Sequence, residues 1–82
     1  MARYYLNIHD RAQSARDDEG SEFDSLDAAV QSALTSAGEI GRSLLGKGDT
    51  GDIVNKVWNE HTQRVCTVTA SMRIDRHAAP PR

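Results

Sequence analysis

Between Leu26 and Leu45, apolar side chains recur at three- and four-residue spacing: Leu26, Ala29, Val30, Ala33, Ala37, Ile40 and Leu44. At about 100° per residue these positions form one stripe, with Leu34 at its margin. Asp27, Ala28, Gln31, Ser32, Thr35, Glu39, Arg42 and Ser43 take the opposite side. The spacing predicts an amphipathic α-helix over Leu26 to Leu45. Asp24 or Ser25 can accept from the free N–H groups of its first turn, and Asp27 suits the positive end of its dipole. Gly38 and Gly41 each weaken the helix by roughly 1 kcal/mol relative to Ala. Gly41 falls near the apolar stripe, where a close approach by another element would account for it. Gly46 and Gly48 are natural stops.

Outside that stretch the period is two. Arg3 to His9 alternates, which places Tyr4, Leu6 and Ile8 on one face of a strand and Tyr5, Asn7 and His9 on the other. Arg64 to Ile74 alternates over a longer run, with Cys66, Val68, Ala70, Met72 and Ile74 set against Thr67, Thr69, Ser71 and Arg73. Its β-branched residues suit a sheet with one wet face. Ile53 to Glu60 is a less regular strand, with Ile53 and Val57 facing one way and Val54 and Trp58 the other. It joins the last strand near His61-Thr62-Gln63. Asp10 to Gly20 has no periodicity and reads as a polar loop, with a turn at Asp18-Glu19-Gly20. Ser21 to Phe23 is a candidate for a very short strand, and Gly46 to Asp52 is a flexible loop.

The order β(β)αββ predicts an α+β fold, one long amphipathic helix packed on a three- to four-stranded antiparallel sheet. Residues 1–74 are expected to form a single domain and residues 75–82 a disordered C-terminal tail. The helix accounts for one face of the sheet. Nothing in the pattern supplies a cover for the other, where Tyr5, His9, Trp58, Val65 and the Thr/Ser row of the last strand are expected.

Composition narrows the classes of function. The 82 residues leave room for one modest core, since a chain this short buries only about 60% of the surface its unfolded form exposes. Ten basic and twelve acidic side chains give a formal charge of −2, which argues against a general nucleic-acid or membrane binder. Charge is uneven along the chain. Asp10, Asp17, Asp18, Glu19, Glu22, Asp24 and Asp27 stand against Arg11 and Arg16, whereas Arg64, Arg73, Arg76 and Arg82 stand against Asp75. The acidic stretch reads as a solvated loop. A single cysteine, Cys66, forms no internal disulfide, and the N-terminus has no signal-peptide pattern, so a cytoplasmic location is expected.

Each candidate for chemistry meets an objection in its own spacing. Gly41-Arg42-Ser43-Leu44-Leu45-Gly46-Lys47 fits seven positions of a phosphate-binding loop, but Gly48 stands where the Mg²⁺-holding hydroxyl belongs. The segment also ends a helix, where the dipole repels anions. Asp17 to Glu22 lacks the alternating acidic spacing and the closing Glu of a Ca²⁺ loop. His9, His61, Cys66 and His77 show no zinc spacing, and Cys66 and His9 are expected on opposite faces. Trp58 and the tyrosines could stack on bases, yet only Lys56, Arg64 and Arg73 lie near them, which argues against nucleic acid. No catalytic residue, cofactor or metal is expected.

Three pieces of sequence carry a resemblance: Met1-Ala2-Arg3-Tyr4-Tyr5-Leu6, Asp17-Asp18-Glu19-Gly20 and Ser25-Leu26-Asp27-Ala28-Ala29. They resemble a family of small alphaproteobacterial, rhizobial-type proteins of unknown function that open with M-x-R-Y-[YF]-[FL] and continue through D-x-E-G and D-L-x-x-A. Val57-Trp58-Asn59-Glu60 and Arg64 to Val68 follow its closing strand pair more loosely. The resemblance implies no assigned activity and no functional residue. The order strand, acidic turn, helix is also similar to that of HicB-type antitoxins. Their P-D-L-P-G signature and their C-terminal DNA-binding segment have no counterpart here.

Together these readings predict a non-catalytic bacterial protein that acts by protein–protein contact, as a homodimer through the open sheet face or with another protein partner. The alternative is a HicB-like partial antitoxin or regulatory partner of a small toxin. The expected contact surface is Tyr5, His9, Trp58, Thr67, Thr69 and Arg73.

Overall fold

The structure is a computed structural model, and it describes residues 1–10 and 13–78. In chain order the elements are β1 (Ala2–His9), β2 (Ser14–Ala15), β3 (Ser21–Phe23), α1 (Leu26–Gly46), β4 (Gly51–Asn59) and β5 (Arg64–Met72). All strand pairing is antiparallel: β1 lies beside β4 and β4 beside β5. The outer edge of β1 is shared by β2, which pairs at Ile8 and His9, and by β3, which pairs at Ala2 to Tyr4. The sheet is thus four strands wide, one of its positions being filled by two short pieces. This is the α+β architecture the periodicities predict.

Alternation decides the faces. Tyr4, Leu6 and Ile8 of β1 pack toward the core with Ile53 and Val57 of β4 and with Cys66, Val68, Ala70 and Met72 of β5. Helix α1 closes that side with Ala29, Ala33 and Ala37, each essentially inaccessible to water. Spaced four apart, these alanines put almost no side-chain bulk between helix and sheet, so the backbones approach closely. Gly41 continues the row; a Cβ there would lie 2.8 Å from Met72 Sδ. Leu26 and Leu34 are less buried than the stripe alone suggests, because the contact is centred on the small residues and leaves both more than a third exposed.

Local chemistry fixes the helix ends. Ser25 Oγ accepts from the Ala28 N–H at 3.1 Å, so Ser25 rather than Asp24 is the cap. At the other end Lys47 and Asp49 donate to the Leu44 carbonyl and Gly48 donates to that of Leu45. Gly48 has φ +83°, so it terminates the helix, while Gly46 is its last residue. The β4–β5 hairpin turns on Asn59, whose Oδ1 accepts from the N–H groups of His61 and Gln63.

Several boundaries differ from the periodicity. The expected loop from Asp10 to Gly20 contains β2, whose two residues are too few to show a period. β4 begins two residues earlier, at Gly51, and ends at Asn59. β5 stops at Met72, so Arg73 and Ile74 lie beyond the sheet even though they continue the alternation. Residues 75–78 carry no helix or strand. The part of the tail expectation that concerns residues 79–82, Arg82 included, lies outside the described residues, as does Arg11.

The acidic stretch is more than a solvated loop. The Asp17 carboxylate accepts from the Leu6 N–H at 3.2 Å and from the Gly20 N–H at 2.9 Å, and the Asp17 N–H donates to Asn7 Oδ1 at 2.8 Å. Asp17 therefore binds the β1 edge in the gap between β2 and β3. Gly20 completes the turn at φ +72°, with a Cβ built there falling 2.9 Å from both the Tyr4 carbonyl oxygen and Tyr5 Cε1. The D-x-E-G pattern is thus an edge-closing device.

Candidate protein-contact face

The face of the sheet opposite α1 has no covering element among the described residues. Register arranges its side chains in rows across the strands. Tyr5 lies opposite Trp58, Asn7 opposite Lys56, and His9 opposite Val54. On the other side of β4, Val54 lies opposite Thr69, and Lys56 opposite Thr67. Tyr5, His9, Thr67 and Thr69 therefore share this face with Trp58, as alternation requires.

One row could not be read from alternation. An unbroken register would continue from Val57–Cys66 to Trp58–Val65, but the pairing shifts after Val57 and sets Trp58 opposite Arg64. Val65 is the extra residue of this bulge and is 38% exposed. The shift brings the Arg64 guanidinium to 6.0 Å from the centre of the Trp58 ring, a cation–π arrangement. The Trp58 Nε1 is shielded from solvent and has no hydrogen-bond acceptor.

Around Trp58 the surface dips into a depression of about 540 Å³, lined by residues that include Tyr5, His9, Lys56, Asp17, Asp18 and Glu60. Its lining combines the aromatic rings of Tyr5 and Trp58 and the amides of Asn7 and Asn59 with the basic side chains His9, Arg16 and Lys56. Arg16 is paired with Asp18 at 3.3 Å, both highly exposed, so their mutual attraction is weak. Alternation places Asn7 on this face with Tyr5 and His9, but the expected contact residues included neither it nor Lys56 and Arg64. Lys56 and Asn7 were legible from their parity with Trp58 and Tyr5, whereas Arg64 depends on the bulge.

Arg73 does not join this face. It lies past the end of β5, largely exposed, and its guanidinium pairs with Asp75 Oδ1 at 3.0 Å. Thr67 and Thr69 stand on the face but outside the depression. Cys66 faces the helix side with the core, so the sheet separates it from His9. No cluster of three or more His, Cys, Asp or Glu side chains among the described residues is placed to hold a metal ion. No helix among them is long and apolar enough to cross a membrane.

Comparison with known proteins adds a family. No curated protein and no solved structure matches the chain significantly. One family model, described as a domain of unknown function, DUF6894, matches residues 3–71, which run from the start of β1 almost to the end of β5. The chain belongs to that family.

Proposed function

We propose that the protein is a non-catalytic domain that acts by protein–protein contact, and that its contact surface is the open sheet face centred on Trp58. The observation that carries this reading is the row Tyr5–Trp58–Arg64: two aromatic residues and a guanidinium side by side on an uncovered sheet, with an indole N–H that has no acceptor. Aromatic residues and arginine are the types that dominate binding energy at protein interfaces. The separation of Cys66 from His9 by the sheet supports the absence of a nucleophile–base pair. A bacterial, cytoplasmic setting fits the one unpaired cysteine.

A second copy is an occupant that the charge layout suits. A two-fold axis along the strands sets the β1 side of one copy, with Asp17 and Asp18, over the β5 side of the other, with Arg64. Four strands of about eight residues present roughly 500 Å² per copy, or about 1,000 Å² in total, which is the low end for a specific interface. Association through the face is therefore weak. Sedimentation over a wide concentration range tests it: Trp58→Ala should remove this association, and a variant that associates as the parent does would sink the reading. The order β1, β2, acidic turn, β3, α1 is similar to the strand, acidic turn, strand and helix of HicB-type antitoxins and favours a second occupant, a small toxin-class protein. Co-purification from the native host under mild salt checks it, and recovery of the protein alone counts against it.

A further inference from the structure

The two edges of the sheet are treated differently, and this asymmetry goes beyond the reading of the open face and does not depend on it. The β1 edge is closed three times over: by β2 at Ile8 and His9, by β3 at Ala2 to Tyr4, and by the Asp17 carboxylate on the Leu6 N–H between them. The β5 edge has no pairing partner among the described residues. β5 is nine residues long, and from Val65 to Met72 it contains no charged side chain and no proline. Those are the features by which natural edge strands avoid pairing with another chain. Only the bulge at Val65 interrupts it, and that leaves Cys66 to Met72 regular.

Above this edge the helix is also unfinished. Gly41 sits against Met72, so its side of α1 is the one over β5. The opposite side of the stripe, at Ile40 and Leu44, groups with Ile8 and Ala15 of β1 and β2. Leu34 and Leu45 fall within about 40° of Gly41 around the helix, so both belong to the β5 side. They are 48% and 41% exposed. An apolar helix flank thus stands directly over an unpaired strand edge.

We infer that β5 pairs antiparallel with the β5 of a second copy, with the Leu34–Leu45 flanks of the two helices packed against each other above the joined sheet. The sequence of β5 is self-complementary for this. Centred on Thr69, the pairing sets Cys66 opposite Met72, Val68 opposite Ala70, Thr67 opposite Ser71, and Thr69 opposite its own counterpart. Every pair then shares a face: core-side residues meet core-side residues, and hydroxyl residues meet hydroxyl residues. No like charges meet. Nine residues of strand run about 30 Å, and sheet plus helix stand about 20 Å high, so each copy contributes about 600 Å². The total of about 1,200 Å² reaches the range of stable interfaces and exceeds that of the open face. The paired sheet is eight strands wide, and its two open faces lie side by side as one surface.

Sedimentation and hydrogen exchange on the full chain test the inference. The parent protein should form a dimer, and the β5 amides should become more protected as concentration rises. Leu34→Glu, at an exposed position, should weaken dimerisation by at least tenfold while leaving far-ultraviolet circular dichroism unchanged. In a Cys66→Ser background, Thr69→Cys should give an interchain disulfide under mild oxidation, a readout that does not depend on the stability of the Leu34 variant. Trp58→Ala should retain the dimer and lose only species larger than it. A parent that stays monomeric at every concentration overturns the pairing. Association abolished by Trp58→Ala but untouched by Leu34→Glu overturns it too, and leaves the open-face reading standing.

Discussion

Gly20→Ala should be the most damaging single-methyl change in the protein, and the structure separates its two causes. Gly20 has φ +72°, a conformation that disfavours Ala by roughly 1–2 kcal/mol. The added methyl would also lie 2.9 Å from the Tyr4 carbonyl oxygen, 2.9 Å from Tyr5 Cε1 and 3.0 Å from Arg3 Cγ. The first of these is backbone held in the β1–β3 ladder, so the turn must move away, and overpacking of this kind costs about 1–3 kcal/mol. The sum is about 3 kcal/mol. For a domain of this size that corresponds to a fall in melting temperature of roughly 12–24 °C. Gly48→Ala provides the control. Its φ of +83° is similar, but a Cβ there meets nothing within 4 Å, so only the backbone part, about 1–2 kcal/mol, applies. Urea unfolding followed by Trp58 fluorescence and by circular dichroism measures both. Equal losses in the two variants, or a loss at Gly20 below that at Gly48, would refute the steric argument.

Three further changes probe other parts of the fold. Asp17→Ala removes the acceptor for the Leu6 and Gly20 N–H groups and should lower stability by about 2–3 kcal/mol, with faster hydrogen exchange at the Leu6 amide. Unaltered exchange there would show that the carboxylate does not close the edge. Asn55 is 1% exposed, donates only a long 3.4 Å bond to the Ala33 carbonyl and leaves its Oδ1 unpaired. Asn55→Val should therefore raise stability by about 1 kcal/mol, while Asn55→Asp should lower it by about 3 kcal/mol or more through a buried charge, both read from chemical denaturation. Gly38→Ala, in a helical position open to solvent with nothing within 4 Å, should stabilise by about 1 kcal/mol in the same assay.

Much of the fold was legible because its elements are set by local rules. The three-and-four spacing around Ala29, Ala33 and Ala37 marked the helix, and the alternation in β1 and β5 assigned Tyr5, His9, Thr67 and Thr69 to one face before any pairing was known. Those are short-range consequences of 3.6- and 2-residue periods, and they do not depend on which strand meets which. The contact face was legible to the same extent: its residues on continuous strands were, while Arg73 was not, since alternation continues past the point where pairing ends.

What the sequence determined by itself is therefore the periodic part: one helix, three long strands, their two faces, and a sheet with one side left uncovered. Tertiary structure alone decided the rest. It decided that Asp17 closes the β1 edge, because a carboxylate in an aperiodic loop has no signature until Leu6 is brought beside it. It decided that Trp58 faces Arg64 rather than Val65, because a bulge changes the partner without changing the residue pattern. And it decided that β5 is the open edge, because strand order is a matter of long-range pairing, and a strand's own alternation is the same at the middle of a sheet as at its margin.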